Sequence, residues 1–66
     1  MKMKYIEVNY LKRTICAKNK TYKFKKEDIK LLKFNLSSYE FFIEGDTYIY
    51  IVPLEKAILD MEVEEV

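Results

Sequence analysis

The chain has 66 residues, half of them hydrophobic, 15% aromatic and 35% charged, with a formal net charge of +1. That length implies one domain, 1–66, with a thin margin of stability, because a chain of about 60 residues buries only ~60% of its unfolded surface. The absence of histidine, together with a single cysteine (Cys16) and a single glycine (Gly45), excludes four things within one chain: a disulfide, a Ser–His or Cys–His nucleophile pair, a zinc site of thiolate and imidazole ligands, and a glycine-rich phosphate loop.

The opening Met1-Lys2-Met3-Lys4 has the charge of a signal-peptide start, but no apolar segment follows it. The longest apolar run, Tyr48 to Leu54, is far shorter than the ~20 residues that a membrane-spanning helix needs. A small domain without a disulfide staple suits a reducing compartment, so a cytoplasmic location with no membrane contact is expected.

Lys4 to Leu11 alternates as a strand, with Ile6, Val8 and Tyr10 on one face. Arg13 to Lys18 and Thr21 to Lys26 flank Asn19-Lys20, a spacing that suits a two-residue hairpin. Antiparallel pairing then sets Ala17 opposite Tyr22 and Ile15 opposite Phe24 on the apolar face. Cys16 falls opposite Lys23, and Thr14 opposite Lys25, on the other. Glu27 to Phe34 has acids first and lysines last, which favours a short helix or turn, although Lys30, Leu32, Phe34 and Leu36 also alternate as in a strand.

Tyr39 to Ile43 and Thr47 to Val52 are the clearest strands. Gly45-Asp46 between them fits a type II′ turn, which takes glycine first. This register puts Tyr39, Phe41, Ile43, Tyr48, Tyr50 and Val52 on one apolar face, and Glu40, Phe42, Glu44, Thr47, Ile49 and Ile51 on the other. Pro53 suits a helix start, with Leu54, Ala57, Ile58 and Met61 as its apolar stripe. Residues 62–66 read as an acidic end that frays. Together these elements predict an α+β fold. It is a small antiparallel sheet of four to five strands built from two hairpins, with one or two short helices including a C-terminal one.

One short helix covers one sheet face. Phe42, Ile49 and Ile51 on the other face therefore predict self-association as a homo-oligomer.

Carboxylates are the remaining source of chemistry. Glu44 and Asp46 flank a turn, and Glu62, Glu64 and Glu65 crowd the end of the chain, but acidic turns and tails are ordinarily solvated. Cys16 reads as a small strand hydrophobe rather than a reactive thiol. No catalytic residue, cofactor or metal is expected, and the chain reads as a non-enzymatic binding protein.

Charge is distributed unevenly. Residues 1–33 hold eleven Lys or Arg against three acids, a net +8, and residues 34–66 hold one Lys against eight acids, a net −7. Arg13, Lys18, Lys20, Lys23, Lys25 and Lys26 gather in and around "KNKTYKFKK". Two readings stand side by side. Lysines on the solvent side of a strand block edge-to-edge pairing. A basic β-ribbon can also follow a phosphate backbone. The second reading makes the protein a small regulator of nucleic acid or a ribonucleoprotein.

A protein–protein module is the alternative, for example a phage-type inhibitor of a host or defence enzyme. A structural homo-oligomer held by opposite charges is a third reading. Two family likenesses accompany the pattern. Tyr39 to Leu59, with its hairpin leading to Ala57-Ile58, resembles the end of an Sm-like, Hfq-type RNA-binding ring protein. Asp28 to Met61 is similar in rhythm to the FlbD flagellar family. Each likeness covers only part of the chain on common apolar positions, and neither carries a functional residue over.

Overall fold

A computed structural model describes residues 4–66. The basic opening at Met1–Met3 lies outside the described residues. In chain order the elements are β1 (Ile6–Asn9), β2 (Thr14–Ala17), β3 (Lys20–Phe24), a 3₁₀ turn (Lys26–Asp28), α1 (Ile29–Leu36), β4 (Phe41–Glu44), β5 (Thr47–Tyr50), α2 (Leu54–Ala57) and β6 (Val63–Glu65). They form an α+β fold with one open antiparallel sheet in the order β4-β5-β1-β2-β3-β6. The sheet has six strands, against the four to five expected from the sequence.

The alternation read from β1 is realised. Ile6 and Val8 are buried, and Tyr10 is half-buried beside them. The second hairpin has the predicted register, with Phe41 opposite Tyr50, Ile43 opposite Tyr48 and Glu44 opposite Thr47. Gly45 takes φ +62°, the left-handed conformation that the first loop position of a type II′ turn requires.

The first hairpin differs. Its loop is Lys18-Asn19, with φ 50° and 65°, so Ala17 faces Lys20, Cys16 faces Thr21, Ile15 faces Tyr22 and Thr14 faces Lys23. Two successive left-handed residues make a primed turn, whose twist matches the flanking strands. The pairing slides by two residues, so each side chain keeps its face while its partner changes. Phe24 extends past the end of β2, donates its N–H to the Arg13 carbonyl at 3.0 Å and is buried.

The acidic end, read from the sequence as a tail, is placed as a strand, β6. Asp60 turns the chain with φ 64°, and β6 then pairs antiparallel with β3, with Val63 opposite Phe24, Glu64 opposite Lys23 and Glu65 opposite Tyr22. Complementary charge along β3 and an inward-facing Val63 favour this pairing over a solvated tail.

Glu27 to Phe34 resolves as helix. The 3₁₀ turn runs into α1, which buries Leu32 and Leu36 against the sheet. The C-terminal helix is a single turn, Leu54–Ala57. Asn35 of α1 joins the two helices, its Nδ2 donating to the carbonyls of Ala57 and Leu59 at 2.9 Å each. The core is Ile6, Val8, Ile15, Phe24, Leu32, Leu36, Tyr50, Val52 and Ala57.

No β4 residue belongs to that core. Six strands at about 4.8 Å spacing span about 24 Å, and two helices of about 10 Å diameter cover less. The uncovered strand is β4, and its four residues are all exposed.

Candidate interaction surfaces

The six predicted basic residues do not form one patch. Lys18 lies in the β2–β3 turn, and Lys20 opens β3 at the same end. Arg13 lies in the β1–β2 turn, and Lys25 and Lys26 follow β3, at the opposite end of the sheet. Lys23 is between them, exposed on the face that no helix covers. At about 3.4 Å per residue, the two ends of β3 are roughly 14 Å apart.

The acids of β6 lie alongside this strip. Lys20 Nζ is 4.0 Å from Glu65 Oε1, and Lys25 Nζ is 3.7 Å from Glu62 Oε2. Lys23 has Glu64 as its cross-strand neighbour. Both ion pairs are exposed, so each contributes about 0–1 kcal/mol. Their larger effect is on the electrostatic field: the basic half and the acidic half of the sequence meet within one sheet. The groove between β3 and β6 is lined by Lys23, Phe24, Lys25, Glu62, Val63 and Glu64, so charges of both signs face it.

The fold also gathers cations that the strand reading left out. Lys26, Lys30 and Lys33 follow a helical i, i+4, i+7 spacing and are all exposed. Lys33 Nζ lies 5.1 Å from the centroid of the Tyr10 ring, which brings this stripe beside the turn that carries Lys12 and Arg13. The i, i+4, i+7 spacing was visible in the sequence, but only a settled helix gives it meaning.

The self-association residues Phe42, Ile49 and Ile51 have the predicted parity. Phe42 is exposed, whereas Ile49 and Ile51 are half-buried. Phe42 and Ile49 face each other across β4 and β5. The sequence did not mark Phe41 and Ile43 as exposed. They lie on the face expected to be wholly apolar, but they are 48% and 59% exposed, next to Phe42 at 57%. Behind them is an aromatic ledge: the Phe41 ring lies tilted at 5.8 Å from Tyr48 and 5.2 Å from Tyr50, and Tyr10 meets Tyr48 edge-on at 5.2 Å. The hydroxyls of Tyr10 and Tyr50 share a 2.7 Å hydrogen bond. Burial, then that bond and the neighbouring tyrosines, push the Tyr10 phenol well above its ordinary range, so it stays protonated.

Cys16 is half-buried on the open face, with Sγ 3.5 Å from Thr21 Oγ1. Its cross-strand partner is Thr21 rather than Lys23, so the expected neighbouring cation is not directly opposite. Among the described residues, no group of three or more His, Cys, Asp or Glu is placed to hold a metal ion. Among them, too, no helix is long and apolar enough to cross a membrane. Comparison with protein-family models, curated proteins and solved structures finds no match to this chain.

Proposed function

We propose that the protein is a non-enzymatic protein-interaction module that docks through the free edge of β4. One observation carries this reading. Three consecutive apolar residues, Phe41, Phe42 and Ile43, are 48–59% exposed in one of the two edge strands of the sheet. An exposed apolar edge strand has unpaired backbone groups and apolar area together, the two ingredients of strand addition. Proteins ordinarily blunt such an edge with lysine or proline, and neither residue occurs in β4.

The test is comparative capture from a nuclease-treated cell extract. Wild type and the K23A/K25A variant should retain the same proteins, and I43K should lose them. Ile43 is 59% exposed, so a lysine there leaves the core untouched. Retention by I43K would overturn this reading.

A second reading rests on the stripe of Lys26, Lys30 and Lys33 beside Lys12 and Arg13, which suits phosphate contacts on nucleic acid. Its signature is binding to random DNA or RNA that falls log-linearly with salt and is weakened by K30A/K33A. Interleaving of β3 with the acids of β6 leaves Lys20, Lys23 and Lys25 out of this second surface.

A further inference from the structure

We infer that the occupant of the β4 edge is a second copy of this chain, paired antiparallel with β4 about a two-fold axis through Phe42. This inference rests on the interaction reading above and names its partner. The argument begins with the hairpin. Glu44 and Thr47 flank a two-residue turn and therefore form a hydrogen-bonded pair. The bonded series continues through Phe42 and Ile49 and reaches Glu40, whose carbonyl accepts the Ile51 N–H at 3.1 Å. Glu40, Phe42 and Glu44 thus direct their backbone groups inward to β5. Phe41 and Ile43 direct theirs outward.

The outward groups are self-complementary. With Phe42 on the axis, Phe41 of each copy meets Ile43 of the other. Each such pair exchanges two N–H···O=C bonds, so all four outward groups of both copies are satisfied. Phe42 meets its own counterpart at the closely spaced, non-bonded position on the open face. Ile49 flanks it on both sides, which makes one apolar strip across the junction.

The self-complementary pattern of outward backbone groups argues for closure at two copies. The other sheet edge, β6, carries Glu64 and Glu65 and follows Glu62. The isologous contact uses β4 alone and leaves both acidic edges outermost. The three exposed side chains offer on the order of 300 Å² of apolar surface per copy, well below the ~800 Å² per partner of a standard interface. The dimer is therefore weak and concentration-dependent.

The axis also sets Glu40 of one copy opposite Glu44 of the other, twice. Like charges facing across strands repel, and salt screens the repulsion. Dimerisation should therefore strengthen with salt. A charge-paired oligomer and nucleic-acid binding both weaken with salt.

Three measurements test the inference on the full chain. Light scattering across a concentration series should show the mass rise from one copy to two, more readily at high salt. The E40K substitution, at an exposed site, places a cation opposite Glu44 of the second copy and should tighten the dimer on the order of tenfold at low salt. The double substitution E40K/E44K restores repulsion and should return the affinity to the wild-type level. In a Cys16→Ser background, F42C should form a disulfide-linked dimer on mild oxidation, because a closely spaced non-bonded pair has the right Cα separation.

A chain that stays monomeric at millimolar concentration overturns the inference. So does a dimer that ignores E40K and leaves F42C uncrosslinked. In either case extract capture separates the two claims. If capture is lost in I43K, the docking edge stands and the second copy falls. If capture is unaffected by I43K, both fall.

Discussion

Asn35 provides the most direct test of how this small fold holds its two helices together. Its side-chain amide has two hydrogens, and both are used, one on the Ala57 carbonyl and one on the Leu59 carbonyl, each at 2.9 Å. The Ala57 carbonyl is the last of α2, where helical residues lack an internal partner, and Leu59 lies just beyond the helix. Replacing Asn35 by Ala removes two hydrogen bonds at about 1 kcal/mol each. It also strands the part-buried Ala57 carbonyl for roughly 1 kcal/mol more, while water can reach the exposed Leu59 carbonyl. The expected loss is ~2–3 kcal/mol, a fall in Tm of roughly 10–20 °C for a domain of this size. Circular dichroism during thermal and urea unfolding measures it. Asn35→Asp keeps the shape but loses both donors when ionised, so it should be at least as damaging at neutral pH. Below about pH 4 its carboxyl regains a proton and one donor, and the loss should shrink. If N35A unfolds within ~0.5 kcal/mol of wild type, the amide is not what fastens α2 to α1.

Three further substitutions test the packing and the turn. Leu32→Ala, at a site with no solvent exposure, should cost ~2–5 kcal/mol by urea denaturation. Phe34→Ala, two residues along the same helix but 75% exposed, should stay within ~0.5 kcal/mol. Gly45→Ala meets no atom within 4 Å, so its cost is purely that of holding a Cβ at φ +62°. Urea denaturation should show a loss of about 1 kcal/mol, with m unchanged.

The sequence foretold the faces of the sheet better than its edges. Strict alternation of Ile6 and Val8, and of Phe41, Ile43, Tyr48 and Tyr50, fixes which side each residue takes. Gly45 fixed the second hairpin because only one turn type places glycine there. The first hairpin has no glycine, so its loop could slide by one residue. The pairing that buries Phe24 next to Val63 is a contact between residues far apart in sequence. β6 escaped for the same reason: "MEVEEV" alternates weakly, and its acids gain meaning only beside Lys20, Lys23 and Lys25. The basic strip was visible as composition but not as a surface, because the extended length of β3 carries its members to opposite ends of the sheet. Phe41 and Ile43 share the apolar face and are nevertheless exposed, because parity says which way a side chain points and nothing about whether a helix reaches it.

The place of β1 between β2 and β5 has a consequence for how the molecule assembles. β2 and β3 follow β1 through short turns, so that three-stranded meander can form from neighbours alone. β5 is different. Its Tyr50 meets Tyr10 across a separation of 40 residues, and the long connection must close before either contact rewards it. During synthesis the middle of the sheet therefore has an open side until most of the chain has been made. The partner that then arrives is a whole hairpin, already shaped by its glycine turn. That hairpin then meets β1, where Ile6 and Val8 receive Tyr50 and Tyr48.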